Sequence, residues 1–313
     1  MDGDLRQADE WGHYLSSQGW KIEELKHQKS NTKVYVRKLP LIGSVVKIQR
    51  PAITPSIGEV DKIARKHRAI CVKLEPLSAA HYSLLTINGF VPDSAPSLAT
   101  KEITVNLTPP LEEIVANLPT DSARTRRSIE EGQHNGVEVR CLEGKKTSAS
   151  DGMLREFHRL LSQTSLRQNF FAPSFDQLKA EISAFGPKAA LFLAYALPSH
   201  SITPVSNRPL AGALVLIHGK TAYYHHAASA KDGQRLCAPY LMMWEIIKRA
   251  KSLGLTTLNL GGVYDSRYHR QTRHWRKFSV FKKKFGGAVE YPPPLIKCYH
   301  PLPRIIAQIG SGI

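Results

Sequence analysis

The chain has 313 residues, 42% of them hydrophobic and 8% aromatic, with 43 Lys and Arg against 26 Asp and Glu and a formal net charge of +17. That length predicts two domains, each with its own core, and the composition describes a folded globular protein. Cys71, Cys141, Cys237 and Cys298 stand far apart without a CxxC pair, which argues against a zinc knuckle or a compact disulfide framework.

The excess of cationic side chains points to phosphate-rich partners or an anionic membrane surface. The opening Met1 to Arg6 is polar and acidic, and no apolar run reaches about 18 residues, so a cytoplasmic protein is expected. Short apolar runs at Val34 to Leu39 and Val45 to Gln49, joined through Pro40 and Gly43, predict a hairpin. A helix over Ile57 to His67, a strand over Ile70 to Leu74 and a helix near Ala79 to Leu85 come next. Ile103 to Leu107 reads as a strand, Pro109 and Pro110 open a short helix through Leu118, and Ser122 to Glu131 is helical with Arg124, Arg126 and Arg127.

A second round of elements begins with the strand Val137 to Cys141. Helices near Met153 to Leu161 and Phe175 to Ser183 lead to the strand Ala189 to Ala196. Leu210 to Ile217 then pairs with Thr221 to Ala227 through the turn His218 Gly219 Lys220. The polar stretch Pro198 to Arg208 reads as a surface loop. Pro239 starts a long helix with Tyr240, Met243, Ile247 and Ala250 on one face and Gly254 at its end, and Thr256 to Leu260 is the strand after it. Two related α/β units are therefore expected, and the break at Pro292 to Pro294 leaves a final segment free to return to the first.

Several chemistries lack their motifs: there is no G-x-S-x-G elbow, no H-E-x-x-H and no G-x-G-x-x-G after a strand. His225 and His226 are neighbours on a strand, where alternation sends them to opposite faces, so no metal site is expected. A coenzyme A-dependent acetyltransferase presents a glycine-rich turn to the pyrophosphate before a helix. Here that position, Lys231 to Pro239, holds the single glycine Gly233.

The last quarter carries the strongest signal. The strand Leu258 Asn259 Leu260 ends in Gly261 and Gly262, which admit a ligand close to the backbone. From Arg267 to Lys284 there are eight Lys or Arg and no Asp or Glu. Arg267, Arg270, Arg273 and Arg276, three apart, predict one helical stripe, which on its own reads equally well as a solvated face. Trp275, Phe278, Phe281 and Phe285 are expected to anchor the segment on a core.

In order along the chain, these features resemble the FemABX family of peptidoglycan bridge aminoacyltransferases. The opening carries the likeness in Trp11 Gly12, Gly19 Trp20, Arg37 Lys38 Leu39 Pro40 Leu41 and Gln49 Arg50 Pro51. The middle carries it in Arg126 Arg127, Gly136 Val137 Glu138 Val139, and Thr164 and Arg167 ahead of Phe170. The strongest match runs from Tyr240 to Gly262 and on through Phe281 Lys282 and Phe285 Gly286 Gly287. Where the family often has a basic residue after Trp11 Gly12, this chain has His13, Tyr14 and Leu15.

The resemblance implies an α/β fold of two tandem acetyltransferase-like (GNAT-like) subdomains, with mixed sheets flanked by helices and no coiled-coil arm. The expected division is 1–133, then 134–290 with the active site, then 291–313 returning to the first subdomain. It further implies transfer of an amino acid from aminoacyl-tRNA to an amine of a UDP-linked or lipid-linked muramyl peptide, with no cofactor. A monomer in peripheral association with the inner membrane face is expected.

By the same resemblance Lys282 is the catalytic candidate and Phe281 a substrate-binding one; Arg167 by its guanidinium fork, Tyr240 by its hydroxyl, and Gly261 and Gly262 by shaping the cleft are the other substrate-binding candidates. For tRNA the candidates are Arg270, Arg273, Arg276, Lys277, Lys283 and Lys284. Two alternatives stay open: an N-acyltransferase of the same fold using coenzyme A or another thioester, and a non-catalytic RNA-binding protein.

Overall fold

A computed structural model describes residues 3–26, 31–79, 82–143, 148–168, 170–197 and 208–299. The chain divides into two compact units. The first comprises Met1–Lys101, Tyr264–Arg273 and Val289–Ile313; the second comprises Glu102–Val263 and His274–Ala288.

The strands of the first unit are β1 (Lys21–Leu25), β2 (Thr32–Leu39), β3 (Gly43–Gln49), β4 (Ala69–Glu75), β5 (Val91–Pro92) and β13 (Leu295–Cys298). They form a six-stranded sheet of order β1-β2-β3-β4-β13-β5. β3 and β4 run parallel, and the other pairs whose direction is resolved are antiparallel. The expected hairpin is present as β2 and β3, and its turn requires glycine. Gly43 has φ +126°, and a Cβ there would lie 2.4 Å from the Arg68 carbonyl oxygen. Helix α2 (Ile57–Lys66) crosses from β3 to β4 and buries Val60, Ile63 and Ala64 on the sheet. Helices α1 (Asp9–Ser17), α3 (Tyr82–Ile87) and α10 (His269–Thr272) complete this unit.

Arg50, part of the opening that carries the family likeness, is buried as a structural cation. Its guanidinium pairs with Asp4 at 2.9 Å, donates to the Ala99 carbonyl at 2.7 Å and stacks 3.6 Å above the Tyr291 ring. Three partners of this kind offset the cost of burying an arginine.

The strands of the second unit are β6 (Lys101–Asn106), β7 (Val137–Glu143), β8 (Ala189–Ala196), β9 (Ala211–His218), β10 (Thr221–Ser229), β11 (Thr257–Gly262) and β12 (Gly287–Glu290). Their sheet has seven strands in the order β12-β6-β11-β10-β9-β8-β7. Helices α4 (Leu111–Ala116), α5 (Ser122–His134), α6 (Ser148–Gln168), α7 (Phe175–Phe185), α8 (Lys231–Arg235), α9 (Ala238–Ser252) and α11 (Arg276–Lys282) belong to it. The core lies between the sheet and α9, which buries Leu241, Met242, Met243, Ile246, Ile247 and Ala250. α5 lies against α9 at Gly132, where a Cβ would come within 3.0 Å of Leu241 Cβ. The expected α/β class with mixed sheets flanked by helices holds, and the described residues contain no coiled-coil arm.

The structure departs from the sequence reading at several places. The chain first leaves the first unit after Lys101 rather than near residue 133, because β6 pairs antiparallel with β11 and draws the chain into the second sheet. Helix α6 runs on to 21 residues, past the expected Leu161, with no proline to stop it. The arginine stripe does not form. Arg267, Arg270, Arg273 and Arg276 fall on a 3-10 turn, on α10, on a second 3-10 turn and on α11, so no single helix axis aligns them. Arg267 is instead folded onto Asp265 at 2.7 Å and onto the Thr100 carbonyl at 2.9 Å.

His225 and His226 do not point to opposite faces. The register of β10 on β9 slips between Tyr224 and His226, and this β-bulge turns both imidazoles toward Glu181 of α7. Of the polar loop Pro198 to Arg208, residues 198–207 lie outside the described residues.

Candidate active site

Within the second unit, β10 and β11 are parallel neighbours for three residues only, Thr221 to Tyr223 against Thr257 to Asn259. Beyond that point β10 continues with β9 alone, while Gly261 and Gly262 pair with Ile103 and Glu102 of β6. Each strand carries a bulge where they part, between Tyr224 and His226 and between Asn259 and Gly261. Two parallel strands that separate in mid-sheet leave backbone groups without a ladder partner, which is where a ligand's polar chain can take the partner's place.

Lys282, at the end of α11, reaches this parting point. Its Nζ donates to the Gly262 carbonyl at 2.9 Å and lies 5.1 Å from the centroid of the Phe278 ring. Gly261 has φ +73°, and a Cβ there would stand 3.7 Å from Lys282 Nζ. Burial pushes the Lys282 ammonium down from 10.5 to about 8, and the Glu102 carboxylate pulls in the opposite direction. The amine is thus a cation that a modest change of environment can discharge.

Glu102 and Asn259 complete the floor. Both are buried, Asn259 Nδ2 donates to Glu102 Oε2 at 2.7 Å, and Asn259 Oδ1 accepts the Gly261 N–H at 2.7 Å. One side chain therefore fixes both the bulged backbone and the carboxylate below the lysine. Sequence reasoning missed this pair. Asn259 was visible as a polar residue inside an apolar strand, but Glu102 lies 157 positions away with no local mark.

A second group forms around Tyr240, at the start of α9. Its ring meets Phe281 edge-on at 5.2 Å and Phe285 at 6.1 Å, and its hydroxyl accepts from Lys284 Nζ at 2.8 Å. Phe281 and Tyr240 are thus packed against the core, with Phe285 fully buried beneath them. Arg167, at the exposed end of α6, is anchored on the Ser229 carbonyl at the C-terminal end of β10, with Thr164 Oγ1 at 3.5 Å. Lys282, Gly261 and Gly262 are brought together, as are Phe281, Tyr240 and Lys284, while Arg167 is held at the end of β10.

Arg276, Lys277 and Lys283 are exposed on and just after α11; Arg270 and Arg273 are exposed in the first unit. The Lys231 to Pro239 segment is helix α8 followed by the start of α9, and its one glycine serves packing. A Cβ on Gly233 would lie 2.1 Å from the Leu210 carbonyl oxygen.

Residues 202–293 match the model of the FemAB family. The fold is similar to the crystal structure of FemX, with a TM-score of 0.78 at 16% identity over 99% of this chain and 95% of that one. It is also similar to the C-terminal domain of a putative lysylphosphatidylglycerol synthetase from Agrobacterium fabrum (TM-score 0.63, 14% identity, 97% of this chain and 92% of that one). L-PGS from Bacillus licheniformis gives a TM-score of 0.63 at 12% identity over 100% of this chain and 98% of that one. No curated protein sequence matches the chain. The stretch that matches the family model contains the paired glycines, the parting strands and Lys282. Over residues 202–293 the chain is thus similar to the FemAB family, and its fold is similar to that of FemX, as expected from the FemABX resemblance.

Proposed function

We propose that this protein is an aminoacyltransferase that moves an amino acid from aminoacyl-tRNA to an amine of a peptidoglycan precursor. The observation that carries the reading is the placement of the Lys282 ammonium at the point where β10 and β11 part, inside the stretch that matches the FemAB family. The FemX-like fold supports the acyltransferase class.

In the proposed reaction the neutral acceptor amine attacks the ester carbonyl carbon of the aminoacyl group. A C–N bond forms and the carbonyl oxygen takes negative charge; the bond between the acyl carbon and the ester oxygen then breaks, and a proton passes from the attacking amine to the departing ribose hydroxyl. No covalent enzyme intermediate is needed. The Lys282 ammonium, fixed by the Gly262 carbonyl, stabilises the oxyanion in a site where burial strengthens the interaction. Asn259 and Glu102 hold the lysine and the bulge in register. Arg167 offers a guanidinium for the acceptor's phosphate or carboxylate, and the exposed cations of α11 offer phosphate contacts to tRNA.

A transfer assay tests this reading. Radiolabelled aminoacyl-tRNA is incubated with UDP-linked muramyl pentapeptide and, separately, with the lipid-linked precursor. Label in either acceptor supports the reading. Label in neither, with acyl transfer from coenzyme A thioesters instead, replaces it with the thioester alternative.

A further inference from the structure

Glu181 is fully buried on α7, yet it faces two histidines from β10. His225 Nε2 stands 2.9 Å from Glu181 Oε1, and His226 Nε2 stands 3.1 Å from Oε2. The imidazole centroids are 4.3 Å apart. The ligand atoms of all three side chains lie within 4.8 Å of one another. The bulge at Tyr224/His226 produces this arrangement, since regular alternation would send one ring away.

Protons alone answer the cluster poorly. One buried carboxylate must answer two imidazoles, Oε1 at 2.9 Å from His225 Nε2 and Oε2 at 3.1 Å from His226 Nε2. Charging both rings would set two cations side by side against one carboxylate. A divalent cation answers all three groups at once, because each has a lone pair to give and the three ligand atoms lie within 4.8 Å of one another. In a tetrahedral zinc site with bonds of about 2.0–2.1 Å, neighbouring ligand atoms lie about 3.3 Å apart. The two nitrogen–oxygen separations are already within a few tenths of an ångström of that.

We propose that Glu181, His225 and His226 form a divalent transition-metal site of the zinc class, with one coordination position open to water. Two imidazoles and one carboxylate are a donor set that suits zinc rather than calcium or magnesium, which prefer oxygen ligands. The helix that carries Glu181 is held rigidly at its start by a capping box, Ser174 and Gln177, which preorganises the carboxylate. His226, 24% exposed, provides the entry side. The site clamps α7 to the bulge of β10. The bulge also borders Gly261, where a Cβ would lie 3.8 Å from the carbonyl oxygen of Tyr224.

The test uses the full chain, purified without a polyhistidine tag and stripped by chelator dialysis. It is titrated with Zn(II) by calorimetry and with Co(II) by visible absorption, beside Glu181→Gln and His226→Gln. The expected result is one tight equivalent, the intense d–d bands of low-coordinate Co(II), and a zinc-dependent rise in Tm. Both substitutions remove all three signals. His226→Gln alters a partly exposed ring, so the folded state is retained and loss of binding is read directly. Absence of a stoichiometric equivalent in the wild type overturns the proposal. So does an equivalent that persists in His226→Gln with an unchanged Co(II) spectrum, which would place the metal on other residues.

Discussion

Lys282 Nζ donates to the Gly262 carbonyl across 2.9 Å, binding the end of helix α11 to the strand whose pairing with β10 has just ended. Burial lowers the lysine from 10.5 to about 8, so at pH 7 the site holds a cation that is lost just above neutrality. If that cation faces the oxyanion, kcat under saturating substrates falls as pH rises through about 8. A pH–rate profile of the wild type beside Lys282→Ala checks this, and a rising limb near pH 8 that is present in the wild type and absent in Lys282→Ala would point to Lys282 as the general base instead.

The same shift sets a stability trend. The folded lysine releases its proton near pH 8 and the unfolded one near 10.5, so between these values the unfolded chain binds more protons and stability rises with pH. Below pH 8 the charged amine costs the folded state a constant amount. Lys282→Met removes that cost, and the variant is expected to match or exceed the wild-type Tm at pH 7 while losing transfer. Thermal unfolding followed at pH 7 and pH 9.5 checks the sign.

Asn259 links the Gly261 N–H to the buried Glu102 carboxylate. Asn259→Ala leaves both groups without that partner and is expected to cost about 1–3 kcal/mol, by the usual penalty for an unsatisfied buried polar group. Chemical denaturation measures it. Asn259→Asp is expected to be worse, because it sets a second carboxylate against Glu102.

Gly233 approaches the Leu210 backbone too closely for any side chain, with 2.1 Å from a Cβ to the carbonyl oxygen. Gly to Ala inside a helix ordinarily gains up to about 1 kcal/mol. Here Gly233→Ala is expected to lower stability by about 1–3 kcal/mol, the range for overpacking. A Tm at or above wild type would show that α8 can shift off Leu210.

Lys277 and Lys283 are exposed, on α11 and just after it. If they contact tRNA phosphates, Lys277→Glu and Lys283→Glu weaken binding for every tRNA alike and reduce the slope of log affinity against log salt by about one each. Fluorescence anisotropy at several salt concentrations measures both. An unchanged slope would move the tRNA path off α11.

Much of this architecture was legible in the sequence because the core elements obey simple periods. β8 falls on Ala189 to Ala196 as read, since a continuous apolar run between breakers has few other solutions. Helix α9 likewise follows from Pro239 and the apolar face that runs to Ala250. β1 (KIEEL) and β12 (GAVE) were missed because they are short, largely exposed edge strands with no apolar alternation to mark them.

The site was legible only in part. Gly261, Gly262 and Lys282 stood out, but the two bulges did not, because a bulge depends on register against a partner strand. That gap hid both Asn259 with Glu102 and the convergence of His225 and His226 on Glu181. The Arg267 to Arg276 spacing misled for a related reason: the intervals fit one helix, but Asp265 captures Arg267 and the chain breaks into short turns.

The most direct measurement is single-turnover transfer from aminoacyl-tRNA to the muramyl peptide acceptor by the wild type and by Lys282→Ala, with tRNA affinity determined on the same samples. Loss of an oxyanion-stabilising group predicts a rate lowered by about 10²–10³-fold, with tRNA affinity within about twofold of wild type. Transfer that persists at the wild-type rate, or rate and affinity that fall together by the same factor, would contradict the role assigned to Lys282.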